Sequence, residues 1–260
     1  MKNIFVLAER DFKTYFVSPI AYVVLTIFVF LSGLFFNFFL GVMVQQVASQ
    51  AMRAAQTGQL PEPFDMPGWI AQNFFNWVSF IMLFLLPMIT MALFSEEKKR
   101  GTIELLLTAP ITDLQVVLGK FCAAAAFYVV LLVTTGVEMA ALYFYSKPAS
   151  GPILAGYLGL LLYGLAVLAI GMFISTLTEN QIVAAVITFG TLLMFWLIDV
   201  FARGAGESVK AVLSYLSILD HLNEFLMGVL STSHVIFYLS LILLGIFLTY
   251  RSLDSLRWRS

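Results

Sequence analysis

Charge is what this sequence has least of. Only 11% of its 260 residues are Asp, Glu, Lys or Arg, whereas 61% are hydrophobic and the mean hydropathy is +0.95. A soluble domain is about 45–50% apolar, with about a quarter of its residues charged. A soluble core does not need this much apolar surface, so most of the chain is expected to lie in lipid. The long apolar runs lack the alternation of a membrane β-barrel, which leaves an all-α integral membrane protein.

Several residue patterns are missing too, and each absence excludes a class of function. The single cysteine, Cys122, excludes an intramolecular disulfide. No G-x-x-x-x-G-K-[ST] or H-E-x-x-H sequence occurs, so nucleotide binding by a P-loop and zinc-protease chemistry are excluded. The only histidines, His221 and His234, are too far apart in sequence to favour a metal site, and hydrogen bonding is the better interpretation. No catalytic set, metal site, resident cofactor or nucleic-acid surface is predicted for this chain.

Six apolar stretches are long enough to span a membrane, which takes about 20 residues. The predicted spans are residues 20–43, 74–94, 119–145, 153–175, 181–201 and 234–250, within one transmembrane domain over residues 1–260. All six look continuous, and capping-box sequences beginning at Thr112 and Thr178 open the third and fifth. An even number of spans places both termini on one side of the membrane.

The basic residues predict which side that is. Ten of the 14 Lys and Arg residues fall on the side of the termini: Lys2, Arg10, Lys13, Lys98, Lys99, Arg100, Lys120, Arg251, Arg257 and Arg259. Four fall on the other side: Arg53, Lys147, Arg203 and Lys210. Cytoplasmic loops carry the excess of Lys and Arg, so both termini and the loop at 95–118 are predicted to be cytoplasmic.

Two segments outside the spans have helical patterns of their own. Residues 1–16 place apolar side chains on one face and charges on the other, which suits a helix in the membrane interface; the apolar face is Phe5, Ala8, Phe12, Tyr15 and Phe16. The outer segment 202–233 is too polar to span and too apolar for a solvated loop. It is either a pair of short helices re-entering the outer leaflet or an amphipathic surface helix.

Two acids and a run of small residues lie within the spans. Glu138 and Asp199 are both expected near the outer interface, where they either line a pathway or reach headgroup water, with Asp199 paired to Arg203. The run "CAAAAF" at 122–127 and the glycines of the fourth span, Gly156, Gly159 and Gly164, favour close helix contact. That contact is either a subunit interface or internal packing.

The stretch "SEEKKRGTIELLLTAP", residues 95–110, holds five consecutive charges and then becomes amphipathic. Ile103, Leu106 and Leu107 fall on one helical face and Glu104 on another, before Pro110 disfavours further helix. A bounded, rigid amphipathic element suits docking into a groove on another protein. The alternative is a basic anchor followed by a passing amphipathic turn.

The chain resembles type-2 ABC export permeases, particularly the gliding-motility-like branch. The resemblance is carried by "EEKKRGTIELLLTAPITDLQVVLGKF", "SPIAYVV", "LSGLFF", "STLTENQIVA" and "YLSLILLGIFLTYRSLDSLRW", and it covers essentially the whole chain. It implies the type-2 ABC exporter fold: six transmembrane helices, an N-terminal interfacial helix, a cytoplasmic coupling helix after the second span, and an outer re-entrant segment at 207–230.

The resemblance also implies partners and a site. The partners are two ATPase subunits that bind ATP and Mg, and a second permease subunit, the same or paralogous. This branch often works with an auxiliary membrane protein that bears an extracytoplasmic domain. The implied coupling site is Glu97, Arg100, Gly101, Thr102, Ile103, Glu104, Leu106 and Leu107, with Glu97, Arg100 and Glu104 as polar contacts.

The function implied is that of a permease subunit in a bacterial inner membrane, which couples ATP hydrolysis by a separate ATPase to the export of a substrate. The alternative is a non-transporting mechanical or signalling subunit that relays the ATPase-driven motion to an extracytoplasmic partner.

Overall fold

The chain is described by a computed structural model over residues 2–58, 65–103, 111–146, 148–204, 206, 213 and 215–257. Within these residues the structure is helical and contains no strand. The helices are α1 (Lys2–Val17), α2 (Pro19–Thr57), α3 (Met66–Thr90), α4 (Ser95–Lys99), α5 (Asp113–Thr134), α6 (Gly136–Ser146), α7 (Ser150–Leu177), α8 (Gln181–Gly204), α9 (Ile218–Leu226) and α10 (Thr232–Arg257).

Six stretches of helix are long and apolar enough to cross a membrane, which confirms the prediction of an all-α protein with six spans. Helices α2, α3, α7, α8 and α10 each supply one span, and α5 with α6 supplies the third. Helix α1 and the C-terminal end of α10 therefore lie at the same end of the bundle. We call that the terminal end and the other the far end.

The first two spans extend further than the apolar runs indicate. Helix α2 continues past the predicted end at residue 43 to Thr57, so the first half of the expected polar loop is helix. Gln, Ala and Ser residues follow one another there without a helix breaker, until Gly58 adopts a φ of 69° and its N–H donates to the Ala54 carbonyl. Helix α3 begins early because the Asp65 carboxylate accepts from the Gly68 N–H at 3.1 Å.

The two predicted capping boxes have different outcomes. The box at Thr112 forms: the Thr112 hydroxyl accepts from the Gln115 N–H, and the Gln115 side-chain oxygen accepts from the Thr112 N–H, both at 3.3 Å. The box expected at Thr178 is wrong. The Asn180 side chain accepts from the Ile182 N–H at 2.9 Å, and the Thr178 hydroxyl accepts from Asn180 instead. Asn180 immediately precedes α8, and asparagine is a strong N-cap residue.

The third span is not the continuous helix that the sequence suggests. It breaks at Thr135, between α5 and α6. The hydroxyls of Thr134 and Thr135 donate to the carbonyls of Leu131 and Leu132 at 2.6 and 2.7 Å. Such bonds compete with the helical ladder and bend helices, and Gly136 follows without a side chain to support the next turn.

Helix α7 lies at the centre of the bundle, and its glycines admit side chains from neighbouring helices. A Cβ at any of four glycines would lie within 3 Å of another side chain: Gly156 faces Phe75, Gly159 faces Phe225, Gly164 faces Tyr128 and Gly171 faces Thr90. The Tyr128 hydroxyl, buried against α7, donates to the Leu160 carbonyl. Of the two interpretations of the small residues in this span, internal packing is therefore confirmed.

Helix α1 lies against α5. Gly119 of α5 leaves room for the Leu7 side chain, and the rings of Tyr15 and Phe127 stack with their centroids 5.2 Å apart. Phe5, also on the predicted apolar face, is 73% exposed. The N-terminal helix is thus held by protein contacts along its Leu7–Tyr15 face and offers Phe5 to the surroundings.

Among the described residues, helix α9 lies wholly within the outer segment 202–233. It buries Ile218, Leu222, Phe225 and Leu226, and the last two meet glycine positions of α7. One face of α9 is therefore packed against protein, whereas Leu219, Asp220, Asn223 and Glu224 on its other face are half-buried. Residues 207–212, where the other helix of the expected pair would begin, lie outside the described residues.

Candidate functional site

The charged stretch after the second span folds against three other elements at the terminal end. Of the coupling residues implied by the family resemblance, Glu97, Arg100, Gly101, Thr102 and Ile103 are described. Glu104, Leu106 and Leu107 lie outside the described residues. Glu97 turns inward and belongs to an inner group, whereas the exposed Arg100, Gly101 and Thr102 form an outer group.

A buried lysine stands at the centre of the inner group. Lys120, in the second turn of α5, has a side chain only 6% exposed, and its Nζ lies 2.8 Å from Glu97 Oε1 and 3.5 Å from Asp11 Oδ2. The same Nζ lies 5.2 Å from the centre of the Phe94 ring. Asp11 belongs to α1 and Glu97 to α4, so one ammonium group links three elements that are distant in sequence. We call Asp11, Glu97 and Lys120 the buried triad.

The triad holds two carboxylates and one cation, so its charge is balanced only together with Arg10, and it is not fully hydrogen-bonded. Arg10 pairs with Asp11 Oδ1 at 2.7 Å, so two cations face two carboxylates. The buried Glu97 Oε2 has no hydrogen-bond donor among the described residues. A buried charge that loses its partner is strongly destabilising, so the three helices are held together by a contact sensitive to small displacements.

A second set of contacts fixes α4 to the end of α7. The buried Ser175 hydroxyl accepts from the N–H groups of Phe94 and Ser95, both at 3.1 Å, and donates to the Met91 carbonyl at 3.0 Å. The Lys98 ammonium donates to the Thr176 carbonyl. These bonds satisfy backbone groups left open where α3 ends, so the turn between α3 and α4 is rigidly attached to the fourth span.

The outer group is exposed and ends in a left-handed turn. The Arg100 side chain is 70% exposed and pairs with Glu96 one turn earlier. Gly101 follows with a φ of 68° and its N–H donates to the Lys98 carbonyl, which ends α4. The Thr102 hydroxyl donates to the Glu97 carbonyl at 3.3 Å and Ile103 is buried. The chain thus turns sharply at Gly101 and presents Arg100 and Thr102 to the outside.

The acids predicted within the spans are not part of this site. Near the far end, Glu138 Oε1 accepts from the Ser32 hydroxyl at 3.0 Å, which joins α6 to α2. Its other oxygen is buried without a hydrogen bond among the described residues. Glu138 is therefore turned towards another helix rather than to headgroup water. Asp199 lies on α8, and its side chain is outside the described residues.

The amino-acid pattern of one protein family matches nearly the whole chain. That family is described as ABC-2 family transporter protein, and the match covers residues 5–253. The chain belongs to the ABC-2 family.

Curated relatives of this ABC-2 chain match over a shorter stretch. It is similar to the "Probable multidrug ABC transporter permease YbhR" of Escherichia coli, strain K12, and to the protein of the same name in strain O157:H7. In each case the match covers 87 residues, of which 31% are identical. Those 87 residues are 34% of this chain and 23% of the relative. The match thus spans less than a quarter of the curated relatives' length.

Sequence reasoning about this ABC-2 chain missed the role of Lys120. In the sequence analysis Lys120 counts only as one of ten basic residues on the side of the termini. Its position supplies the missed signal: Lys120 lies within an apolar helix, after Gly119, and a lysine there needs a carboxylate partner.

The two histidines of the ABC-2 chain, distant in sequence, lie in contact at the far end. The Nδ1 atoms of His221 in α9 and His234 in α10 are 2.5 Å apart, and His221 Nε2 donates to the Tyr215 carbonyl at 3.1 Å. With its proton on Nε2, neutral His221 accepts at Nδ1 from His234. Burial lowers the pKa of His221, which favours this neutral pair. No cluster of three metal-ligating side chains occurs among the described residues.

Proposed function

We propose that the chain is the permease subunit of an ATP-binding cassette exporter, and that the terminal end is where a separate ATPase acts on it. Membership of the ABC-2 family and the six spans support a transporter membrane subunit. The sequence carries no P-loop of its own, so ATP and Mg are bound by the partner. A permease of this kind is not catalytic by itself.

The observation that carries the proposal is the buried triad. Force applied to α4 or α1 by a partner reaches α5 directly, because Lys120 Nζ contacts both Glu97 and Asp11. The Ser175 and Lys98 bonds carry the same displacement to α7. Packed helices move as rigid bodies rather than deforming continuously, so a push at Gly101–Ile103 is transmitted into the third and fourth spans together.

The remaining parts of the proposal follow the family resemblance. The ATPase is present in two copies, and a second permease subunit, identical or paralogous, completes the transmembrane part. The membrane is the bacterial inner membrane, with both termini and residues 95–118 in the cytoplasm. The gliding-motility-like branch and an auxiliary membrane protein with an extracytoplasmic domain also belong to the proposal.

Two exposed arginines at opposite ends of the bundle test where the ATPase binds. Arg100 lies in the outer group at the terminal end, whereas Arg53, also exposed, lies in α2 at the far end. The tagged chain is purified from its native membrane, and the ATP hydrolysis that purifies with it is measured. Arg100→Glu is expected to reduce the recovered ATPase several-fold, and Arg53→Glu is expected to leave it unchanged.

Equal recovery from both variants would remove Arg100 from the interface, and loss with Arg53→Glu alone would reverse the proposed orientation. If no ATPase purifies with the unaltered chain, the proposal fails as a whole. The exporter is separated from a mechanical or signalling subunit by reconstituting the recovered complex into liposomes, where only an exporter moves solute upon ATP addition.

A further inference from the structure

Glu138 is a buried acid that the proposed coupling path does not use. It lies in the first turn of α6, inside the third span, and its Oε1 is 3.0 Å from the Ser32 hydroxyl of α2. Its Oε2 is shielded from solvent and has no hydrogen-bond partner among the described residues. Burying an ionised carboxylate without a partner is costly, and acids inside a membrane are found paired. The side chain therefore needs a cation or a proton.

The helices next to α6 offer no cation within reach. Helices α3, α6 and α7 contain no Lys, Arg or His. Arg53 of α2 lies 21 residues from Ser32, and Lys120 of α5 lies 18 from Glu138, which is roughly 31 and 27 Å along a helix. Lys147, which follows α6, lies outside the described residues. Because Oε2 is shielded by this chain itself, a cation on another subunit does not reach it either.

Two other features near Glu138 do not supply the missing partner. Tyr157 of α7 interacts with Glu138 electrostatically, but its hydroxyl is bonded to that of Thr135 at 3.0 Å and carries no positive charge. The start of α6 has the partial positive charge of a helix N-terminus, which favours an anion. That effect is small beside the cost of a buried charge without a partner, and no backbone N–H bonds to Oε2.

The Ser32 hydroxyl gives an independent indication of a proton on Glu138. It has a single proton, yet two acceptors lie within hydrogen-bonding distance of its oxygen: Glu138 Oε1 at 3.0 Å and the Val29 carbonyl at 3.1 Å. An ionised Glu138 can only accept, so it takes that proton and the bond to Val29 is lost. A protonated Glu138 donates to Ser32 Oγ instead, and the Ser32 proton goes to Val29. A neutral carboxyl group thus allows both bonds to form together.

We propose that Glu138 is a proton-binding site, at which a neutral carboxyl group joins α6 to α2. When the proton leaves for water at the far end, a buried carboxylate remains and must be hydrated, so proton release is linked to separation of α6 from α2. Helix α6 is distinct from α5 because the third span breaks at Thr135. The site therefore lies outside the buried triad and does not depend on the proposed ATPase.

Infrared difference spectroscopy of the full chain tests for the proton. A neutral carboxyl group has a C=O stretching band that a carboxylate lacks, and a detergent without ester groups keeps that region clear. At about pH 7, where an exposed glutamic acid is ionised, the unaltered chain minus Glu138→Gln is expected to show this band, shifted to lower frequency in heavy water. Ser32→Ala removes the hydrogen-bond partner and should move the band to higher frequency without abolishing it.

Glu9→Gln is the matched control, because Glu9 is the same residue type but its side chain is 50% exposed. It should leave the band in place. A band that Glu138→Gln does not remove, or no band at all, would overturn the proposal. If Glu138→Gln does not fold, isotopically labelled glutamate must shift the band in the unaltered chain, and the Ser32→Ala shift then assigns it to Glu138.

Amide exchange tests the link between the proton and the contact of α6 with α2. The pH is raised until the band disappears, and exchange in α6 is compared with that in the centre of α7 after correction for the chemical rate. Protection of α6 is expected to fall with the band, while that of α7 stays. If α6 remains as protected as before, the proton does not control this contact.

Discussion

Replacement of Lys120 by methionine tests the buried triad, and the structure gives the size of the effect. Met keeps most of the volume of the side chain but removes the ammonium group that faces Glu97 and Asp11. The Phe94 ring keeps an apolar neighbour, so packing changes little. What changes is that Glu97 and Asp11, with side chains 22% and 15% exposed, lose their shared cation.

The distances set the scale of the loss. At an effective dielectric constant of about 20, attraction over the 2.8 Å to Glu97 is about 6 kcal/mol and over the 3.5 Å to Asp11 about 5 kcal/mol. Desolvation of the three groups offsets much of this gain. Removing one partner of a buried pair typically costs about 3–5 kcal/mol, and we expect a value in that range for the docking of α1 and α4.

Hydrogen–deuterium exchange in nanodiscs measures that docking locally. A cost of about 3–5 kcal/mol raises the population in which α1 is undocked by roughly two to three and a half orders of magnitude. The amides of α1 should therefore exchange much faster in Lys120→Met, whereas those in the centre of α7 should not change. The triple variant Lys120→Met, Asp11→Asn, Glu97→Gln leaves no buried charge uncompensated, because Arg10, which loses its partner, is 56% exposed; it should recover most of the protection.

Lys13→Met is the matched control for this experiment. Lys13 also lies at the terminal end and pairs with a carboxylate, Glu9 at 2.7 Å, but its side chain is 72% exposed. An exposed pair contributes at most about 1 kcal/mol. If Lys120→Met exchanges no faster than Lys13→Met, the triad does not hold α1. If the triple variant exchanges as fast as the single one, uncompensated charge is not the cause.

Three further predictions concern other parts of the molecule. Gly164→Val should lower the yield of folded protein, because its side chain would overlap an aromatic ring of α5, whereas Gly190→Val has open space and should not; size-exclusion chromatography compares them. Gly101→Ala should reduce the ATPase that purifies with the chain more than Gly101→Asn does, since asparagine tolerates the left-handed φ of 68° better than alanine. Burial lowers the pKa of His221, so the stability of its neutral pair with His234 is present above about pH 6.5 and lost as the pH falls below it. The melting temperature should therefore fall more between about pH 7.5 and about pH 5.5 in the unaltered protein than in His221→Gln, and equal falls would exclude this role.

Features set by neighbouring residues could be predicted from the sequence, and those set by distant ones could not. The six apolar runs and the Thr112 capping box depend on residues within a few positions of each other, and both are present. The capping box predicted at Thr178 is absent although it is also a local feature. Asn180, which immediately precedes α8, caps the helix instead. Competition between two nearby caps is decided by geometry that a sequence pattern does not contain.

The coupling role of the charged stretch stays a prediction, and its contacts with other helices were not predicted from the sequence. The charged stretch indicated a docking element, and its exposed Arg100 fits that interpretation. Glu97, predicted as a polar contact for a partner, instead turns inward to Lys120. The break at Thr135 was not predicted either, because the apolar run continues through it. There the hydroxyls of Thr134 and Thr135 bond to backbone carbonyls of the preceding turn. Burial and hydrogen bonding between separate helices decide each of these features.

The glycines of α7 have a consequence for how the molecule moves. Phe75 and Thr90 from α3, Tyr128 from α5 and Phe225 from α9 all occupy notches along this one helix. A helix notched from several sides can neither rotate nor slide without expelling those side chains together. Helix α7 is therefore expected to move only together with the helices packed into it. A displacement that starts at Lys120 would carry α3, α5, α7 and α9 as one body.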